Sequence, residues 1–163
     1  MNTTGISGNA VAIRPIQASE YSKACDLVME VFNKYNAQEC TEEGLRMFCC
    51  IARPDVIAKG MLEGDVTWVA ATEKKVIGVI KIHRENHIHL LFVDDTWHGK
   101  GIARQLFEAA LLHVRENYPE KLHITVNSSS FAVPVYRALG FTTTGSPASK
   151  HGVRIVPMSF DVQ

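Results

Sequence analysis

"HIHLLFVDDTWHGKGIARQLF", residues 87–107, decides the fold. Its first seven residues read as an apolar strand. From Gly101 onward, Ala103, Leu106, Phe107, Ala110 and Val114 recur at helical spacing, which predicts a helix over 101–116. Two glycines bracketing a lysine stand between the two segments. A strand that runs through glycines into a helix brings the unpaired N–H groups and the positive dipole end of that helix to the strand's end. Glycine lets the backbone approach a phosphate where a side chain would block it. Gly99, Lys100, Gly101, Ile102 and Ala103 are placed to offer such a ring of N–H groups, and Lys100 adds a positive charge. The P-loop pattern GxxxxGK[ST] and the pattern GxGxxG are both absent. On local features alone, the same glycines also suit a plain helix start.

Outward from this stretch the elements alternate in type. "AVAIRPI" reads as a first strand. "QASEYSKACDLVMEVFNKYNA" follows as a helix with Ser19 as its cap, and "TEEGLRMFCCIA" as a second helix capped by Thr41. Residues 53–65, with Pro54, Gly60 and Gly64, are expected to be irregular. "VTWVAAT" and "KVIGVIKIHR" are strand-like, and "EN" between Arg84 and His87 suggests a tight hairpin into residues 87–93. Downstream come a strand "KLHITVN", a short helix in "SSSFAVPVYRALGF" closed by Gly140, and closing strands in "GFTTT" and "VRIVPMSFDV". This order predicts an α/β (α+β) fold: one mixed, mostly antiparallel sheet of about six or seven strands with helices on both faces.

The 163 residues suit a single domain spanning 1–163, with 1–9 as a loose end. Lys+Arg and Asp+Glu are 17 each. That balance disfavours a nucleic-acid or anionic-membrane partner, which usually calls for a basic excess. The N-terminus lacks a basic start and a long apolar core, and no apolar run approaches a membrane span. Cys25, Cys40, Cys49 and Cys50 show no CxxC spacing and are expected to be reduced, mostly buried thiols in a cytoplasmic protein.

Two spaced motifs then sharpen the reading. "HGKGIA" resembles the cofactor-binding motif of the GNAT acetyltransferase superfamily, Arg/Gln-x-x-Gly-x-Gly/Ala, with Gly101 and Ala103 at the two small positions. His98 stands where arginine or glutamine is usual. "TVNSSSFAVPVYRALGF" resembles the family's second signature, a helix ending in Tyr-x-x-Leu-Gly-Phe, and "GVRIVPMSF" its last strand. The resemblance covers roughly residues 67–160 and is weak over 16–60.

The resemblance implies acetyl transfer from acetyl-CoA to a primary amine by direct attack on the thioester. It also implies a splayed cofactor strand, with free backbone groups near Leu91, Phe92 and Val93 for the pantetheine arm. An N–H of Phe92 or Val93 would polarise the thioester carbonyl. The pyrophosphate would sit on residues 98–104. Arg104 suits either a phosphate contact or a solvent-facing helix charge. Tyr136 matches the family's general acid, and Asn127 and Ser129 are candidates to hydrogen-bond the cofactor, Ser129 being equally a helix cap. No metal is implied. A GNAT-like acyl-CoA sensor with little catalysis is the alternative.

For the base, His89 is the first candidate because an imidazole titrates near neutral; His87, Asp94 and Glu39 follow. A two-residue "EN" turn would point His83 away from His87 and His89, which disfavours a three-histidine zinc site. Phe32, Tyr35, Glu39, Met47 and Phe48 are candidates to line the acceptor site. The acceptor is expected to be a small-molecule or peptide amine, and the assembly a monomer or homodimer.

Overall fold

The computed structural model describes residues 10–163, so the expected loose end at 1–9 lies outside the described residues. Strand β3 (Val76–His83) carries the continuous apolar run "VIGVIKIH" and is buried along nearly its whole length. A strand of that composition belongs in the middle of a sheet covered on both faces. It pairs antiparallel with β2 (Val66–Ala71) on one side and β4 (His87–Val93) on the other. β1 (Ala12–Pro15) closes the edge beyond β2. On the other side β4 meets β5 (His123–Ser128) in parallel, and β5 pairs antiparallel with β8 (Val153–Asp161). The short strands β6 (Thr142–Thr143) and β7 (Ala148–Lys150) both pair with β8. The sheet is therefore mixed and mostly antiparallel, with eight strands rather than six or seven. β7 is too short and polar to stand out in the sequence.

Helices α1 (Tyr21–Tyr35), α2 (Glu42–Ile51) and α3 (Pro54–Leu62) cover one face; α4 (Ile102–Asn117) and α5 (Val133–Leu139) cover the other. The first face packs Leu27, Val28 and Phe32 on Val69, Val79 and Leu90. The second packs Leu106, Phe107 and Val114 on Ile77, Ile80 and Ile82.

Thr41 caps α2 as expected, its hydroxyl accepting from the Gly44 N–H. Ser19 does not cap α1. A short 3-10 turn precedes that helix, and there the Glu20 carboxylate accepts from the Gln17 N–H and holds Arg14 at 2.6 Å. Cys49 and Cys50 are exposed, because α2 turns Gly44 and Phe48 inward instead. All four cysteines are free.

Residues 53–65 form helix α3 rather than an irregular segment. Pro54 sits at its first turn, where its missing N–H costs nothing. Gly60 is there for space. A Cβ at this position would stand 2.4 Å from Asp65 Oδ2 and 2.9 Å from Lys81 Nζ. Those two groups form a buried ion pair at 3.0 Å, with side chains 6% and 3% exposed. Burial alone would raise the Asp65 carboxyl, but its bonds to Lys81 and His83 outweigh that and hold it below its ordinary value.

The β3–β4 turn spans three residues, 84–86, with Arg84 and Glu85 at φ of 49° and 74°. His83 therefore pairs directly with His87 and shares its face, contrary to the two-residue turn expected. Two residues on, Lys81 pairs with Leu90 and Ile82 with Ile88, so His89 is the extra residue of a β-bulge. The bulge switches the strand's alternation. Ile88 packs on the α4 face, whereas Leu90 packs on the α1 face.

Two predictions follow from this packing. Gly60→Ala should destabilise the fold by about 1–3 kcal/mol through overpacking of the ion pair, although alanine is otherwise the better helix former by roughly 0.5–1 kcal/mol; thermal unfolding measures it. Burial, with Lys81, His83 and His87 nearby, pushes the His89 imidazole down from 6.5 to about 4. The unfolded chain thus takes up this proton first, and stability present above pH 6.5 is lost as pH falls toward 4. The loss amounts to at most about 3 kcal/mol. His89→Leu should flatten the pH dependence of Tm across that window without abolishing it, since His87 and His113 are lowered too.

Candidate active site

The opening between β4 and β5 builds the site. Only His87 and Ile88 pair with β5, opposite Thr125 and Val126. From Leu90 onward β4 stays with β3 while β5 stays with β8, so the two parallel strands part. The Asp94 N–H donates to the Ile77 carbonyl at 2.8 Å. Backbone groups alternate sides in an antiparallel ladder. Phe92 therefore shares Asp94's orientation toward β3, and the groups of Leu91 and Val93 face the gap. The Phe92 N–H is committed to the ladder, which leaves Leu91 and Val93 as the donors on the open side. The Val93 carbonyl is already engaged, since His98 Nε2–H donates to it at 2.7 Å.

The gap runs straight into α4. Gly101 is the N-cap of that helix at φ 81°, and Gly99 has φ 73°, both left-handed. A Cβ on either glycine would meet nothing within 4 Å, so the loop borders open space at the first turn of a 16-residue helix. Its unpaired N–H groups and dipole suit an anion there. Lys100 does not line that space; its ammonium lies 5.0 Å over the Trp97 ring. Arg104 donates to the Ala138 carbonyl at 2.7 Å, which ties the α4 start to the end of α5. Neither of its expected roles describes it fully, for it borders the cavity while fixing this junction.

One cavity of about 480 Å³ joins these parts, a volume typical of small-molecule sites. Its wall includes His89, Leu91, Phe92, Val93, His98, Gly99 and 101–104, together with Asn127, Ser129 and Tyr136 from the β5–α5 side. Every expected cofactor residue except Lys100 thus borders a single space. Ser129 also accepts from the Ala132 N–H at 3.2 Å, holding the turn ahead of α5. Tyr136 is buried against Phe141, and burial pushes its phenol well above its ordinary value.

At the far end the cavity passes between α1–α2 and β8. Phe32, Glu39 and Phe48 line it there, and the two phenyl rings stack at 3.6 Å. Tyr35 and Met47 lie outside it. Tyr35 stacks on Phe131 and Met47 points to solvent. Asn36, Cys40 and Arg154 complete this end; Arg154 was not foreseen because it reaches the site only through the return of β8. Asp94 is not a free base. Burial would raise it, but the Lys75 bond at 2.6 Å and two bonds from Thr96 hold it below its ordinary value. His87 Nδ1 is engaged with Thr125 Oγ1 at 2.8 Å.

Although His83, His87 and His89 share a face, no three His, Cys, Asp or Glu side chains among the described residues come together as a metal-binding group. No helix among them is long and apolar enough to cross a membrane.

Comparison with known proteins agrees with this architecture. The chain is 32% identical to human N-acetyltransferase 8B over 105 residues, covering 58% of this chain and 46% of that protein. With human N-acetyltransferase 8 it shares 31% over 114 residues, covering 63% and 50%. The chain thus spans about half the length of the curated relatives it matches. In structure it resembles the PaiA N-acetyltransferase of Thermoplasma acidophilum, solved in complex with coenzyme A, with a TM-score of 0.77 at 13% identity over 93% of this chain and 99% of that one. The profile of the acetyltransferase (GNAT) domain matches residues 36–162, from the end of α1 through the last strand, and the chain accordingly belongs to the GNAT acetyltransferase family.

Proposed function

We propose that the protein is an N-acetyltransferase that moves an acetyl group from acetyl-CoA to a primary amine by direct attack on the thioester. The observation that carries this reading is the single cavity into which the β4–β5 gap, the α4 N-terminus and Tyr136 all open. Each part matches a need of the reaction. The Gly99–Gly101 turn and the α4 dipole favour the pyrophosphate. The groups of Leu91 and Val93 that face the gap suit an amide-bearing arm, which extends β4 as an added strand would. One of their N–H groups is then aimed at the carbonyl oxygen as it gathers negative charge. Asn127 and Ser129 border the opposite wall of the same arm.

Tyr136 is the general acid. Burial keeps its phenol protonated, the form in which an acid must start. A thiolate leaving in the same buried cavity is destabilised by the same burial, and a proton from Tyr136 relieves it. His89 is the base. Its lowered imidazole is neutral at physiological pH, ready to accept a proton from the attacking nitrogen. Phe32, Glu39 and Phe48 hold the acceptor at the far end.

Thiol release with benzylamine, spermidine, lysine and glycylphenylalanine as acceptors tests the activity. Turnover with at least one and not with buffer alone is expected; CoA binding without turnover on any would point to a sensor instead. Tyr136→Phe should lower kcat by about 100-fold and leave acetyl-CoA affinity unchanged. Gly101→Asp should weaken CoA binding by at least about tenfold, or ~1.4 kcal/mol. Gly101→Asn, with the same shape and no charge, should lose clearly less. Equal losses in calorimetric titration would contradict the phosphate assignment.

A further inference from the structure

Only two buried side-chain polar atoms among the described residues have no hydrogen-bond partner, Thr67 Oγ1 and His89 Nδ1. An unpartnered buried polar atom is costly and calls for a physical reason. His89 is the one that borders the cavity. Behind it lies His83, brought to the same face by the three-residue turn and the bulge. The two ring centroids are 5.3 Å apart and the planes tilt by 37°. His89 Nδ1 has no hydrogen-bond partner, so a transfer between the rings calls for a ring rotation or one bridging water.

His83 is fixed from its far side. Its Nδ1–H donates to Asp65 Oδ1 at 2.8 Å, and the other Asp65 oxygen holds the buried Lys81. A carboxylate only accepts, so the neutral His83 ring carries its proton on Nδ1 and keeps Nε2 free to take another. His83 is 36% exposed. It lines a separate outer pocket with Arg84, Glu85, Tyr118 and Lys121. Asp65 and His83 thus line the outer pocket, while His89, beside His83, lines the inner cavity.

We propose that His83, oriented by Asp65, is the second station of a proton exit that leads from the acceptor nitrogen through His89 to the outer pocket. The proposal rests on His89 as the base. As the N–C bond forms and the C–S bond breaks, the sulfur takes its proton from Tyr136, which regains one from water entering the cavity when CoA leaves. The acylated nitrogen gives one proton to His89 Nε2, and the proton on His89 Nδ1 moves to His83 Nε2. His83 then releases it to water in the outer pocket. The charges around the two rings set the direction. Burial and the neighbouring Lys81, His83 and His87 disfavour a charge on His89, with Asp65 opposing them only weakly. On His83 the charge lies directly against the Asp65 carboxylate. A proton therefore passes through His89 and does not rest there.

The experiment is initial-rate kinetics on the full chain, with acetyl-CoA and the fastest acceptor of the four amines above. His83→Gln keeps a donor for Asp65 and removes the imidazole. It should lower kcat roughly tenfold, less than the loss of the base itself, with KM for acetyl-CoA unchanged. The solvent deuterium isotope effect on kcat should rise, and added imidazole should restore kcat. A change in packing alone would move neither of the last two. An unchanged kcat, or a loss that imidazole does not restore, overturns the exit route. His89→Gln separates this from the parent reading: if it leaves kcat intact, His89 is not the base; if it lowers kcat while His83→Gln does not, the base stands and the exit fails. Should His83→Gln melt well below the parent, His83→Asn is read by the same measurements.

Discussion

Beyond Ile88, strand β4 has a hydrogen-bonding neighbour on one side only. Leaving ladder groups unpaired within a sheet is costly, so the rest of the fold must hold the gap open. On one side β4 is fixed to β3 by a ladder whose far strand is buried on both faces. On the other, β5 is committed to β8 along six residue pairs. Each strand keeps its fully formed neighbour as the two diverge. The Leu91 and Val93 N–H groups face the open side, where acetyl-CoA is proposed to bind.

The bulge at His89 is the second half of the same constraint. It turns Leu90 and Phe92 toward the α1 face and Leu91 and Val93 toward the α4 face. The strand therefore enters the gap with its open-side backbone groups at Leu91 and Val93. The extra residue is a histidine, drawn against the cavity with one nitrogen sealed from solvent. The proposed proton chemistry and thioester binding thus share one local irregularity. Because burial there disfavours the charged imidazole, stability is lost on acidification.

Much of this was legible in the sequence. Residues 87–107 announced strand, glycine turn and helix because each segment's periodicity and its breakers agreed. The Gly101 cap and the α4 core followed from the same spacing, although Ile102 and Leu111 are buried where Ala103 is only partly so. The helix at 54–62 was hidden by Gly60, whose purpose is to admit an ion pair formed by residues 65 and 81. No local signal carries that information. The face of His83 depended on turn length, and a turn one residue longer than expected reversed it. Lys100 shows the same limit in a side chain: its charge belongs to the phosphate motif by position, yet its ammonium stacks on Trp97. Glu39 borders the far end of the cavity, and Arg154 reaches it only through the last hairpin, which pairing across the sheet determines.

Acetyl-CoA is proposed to bind by completing the open side of β4 and the first turn of α4. Amide hydrogen exchange with and without saturating acetyl-CoA tests it most directly. The N–H groups of Leu91 and Val93 and those of residues 101–104 should slow together when ligand binds, while Phe92, already in the β3 ladder, changes little. Protection confined to other segments, or none in the gap at saturation, would contradict the claim.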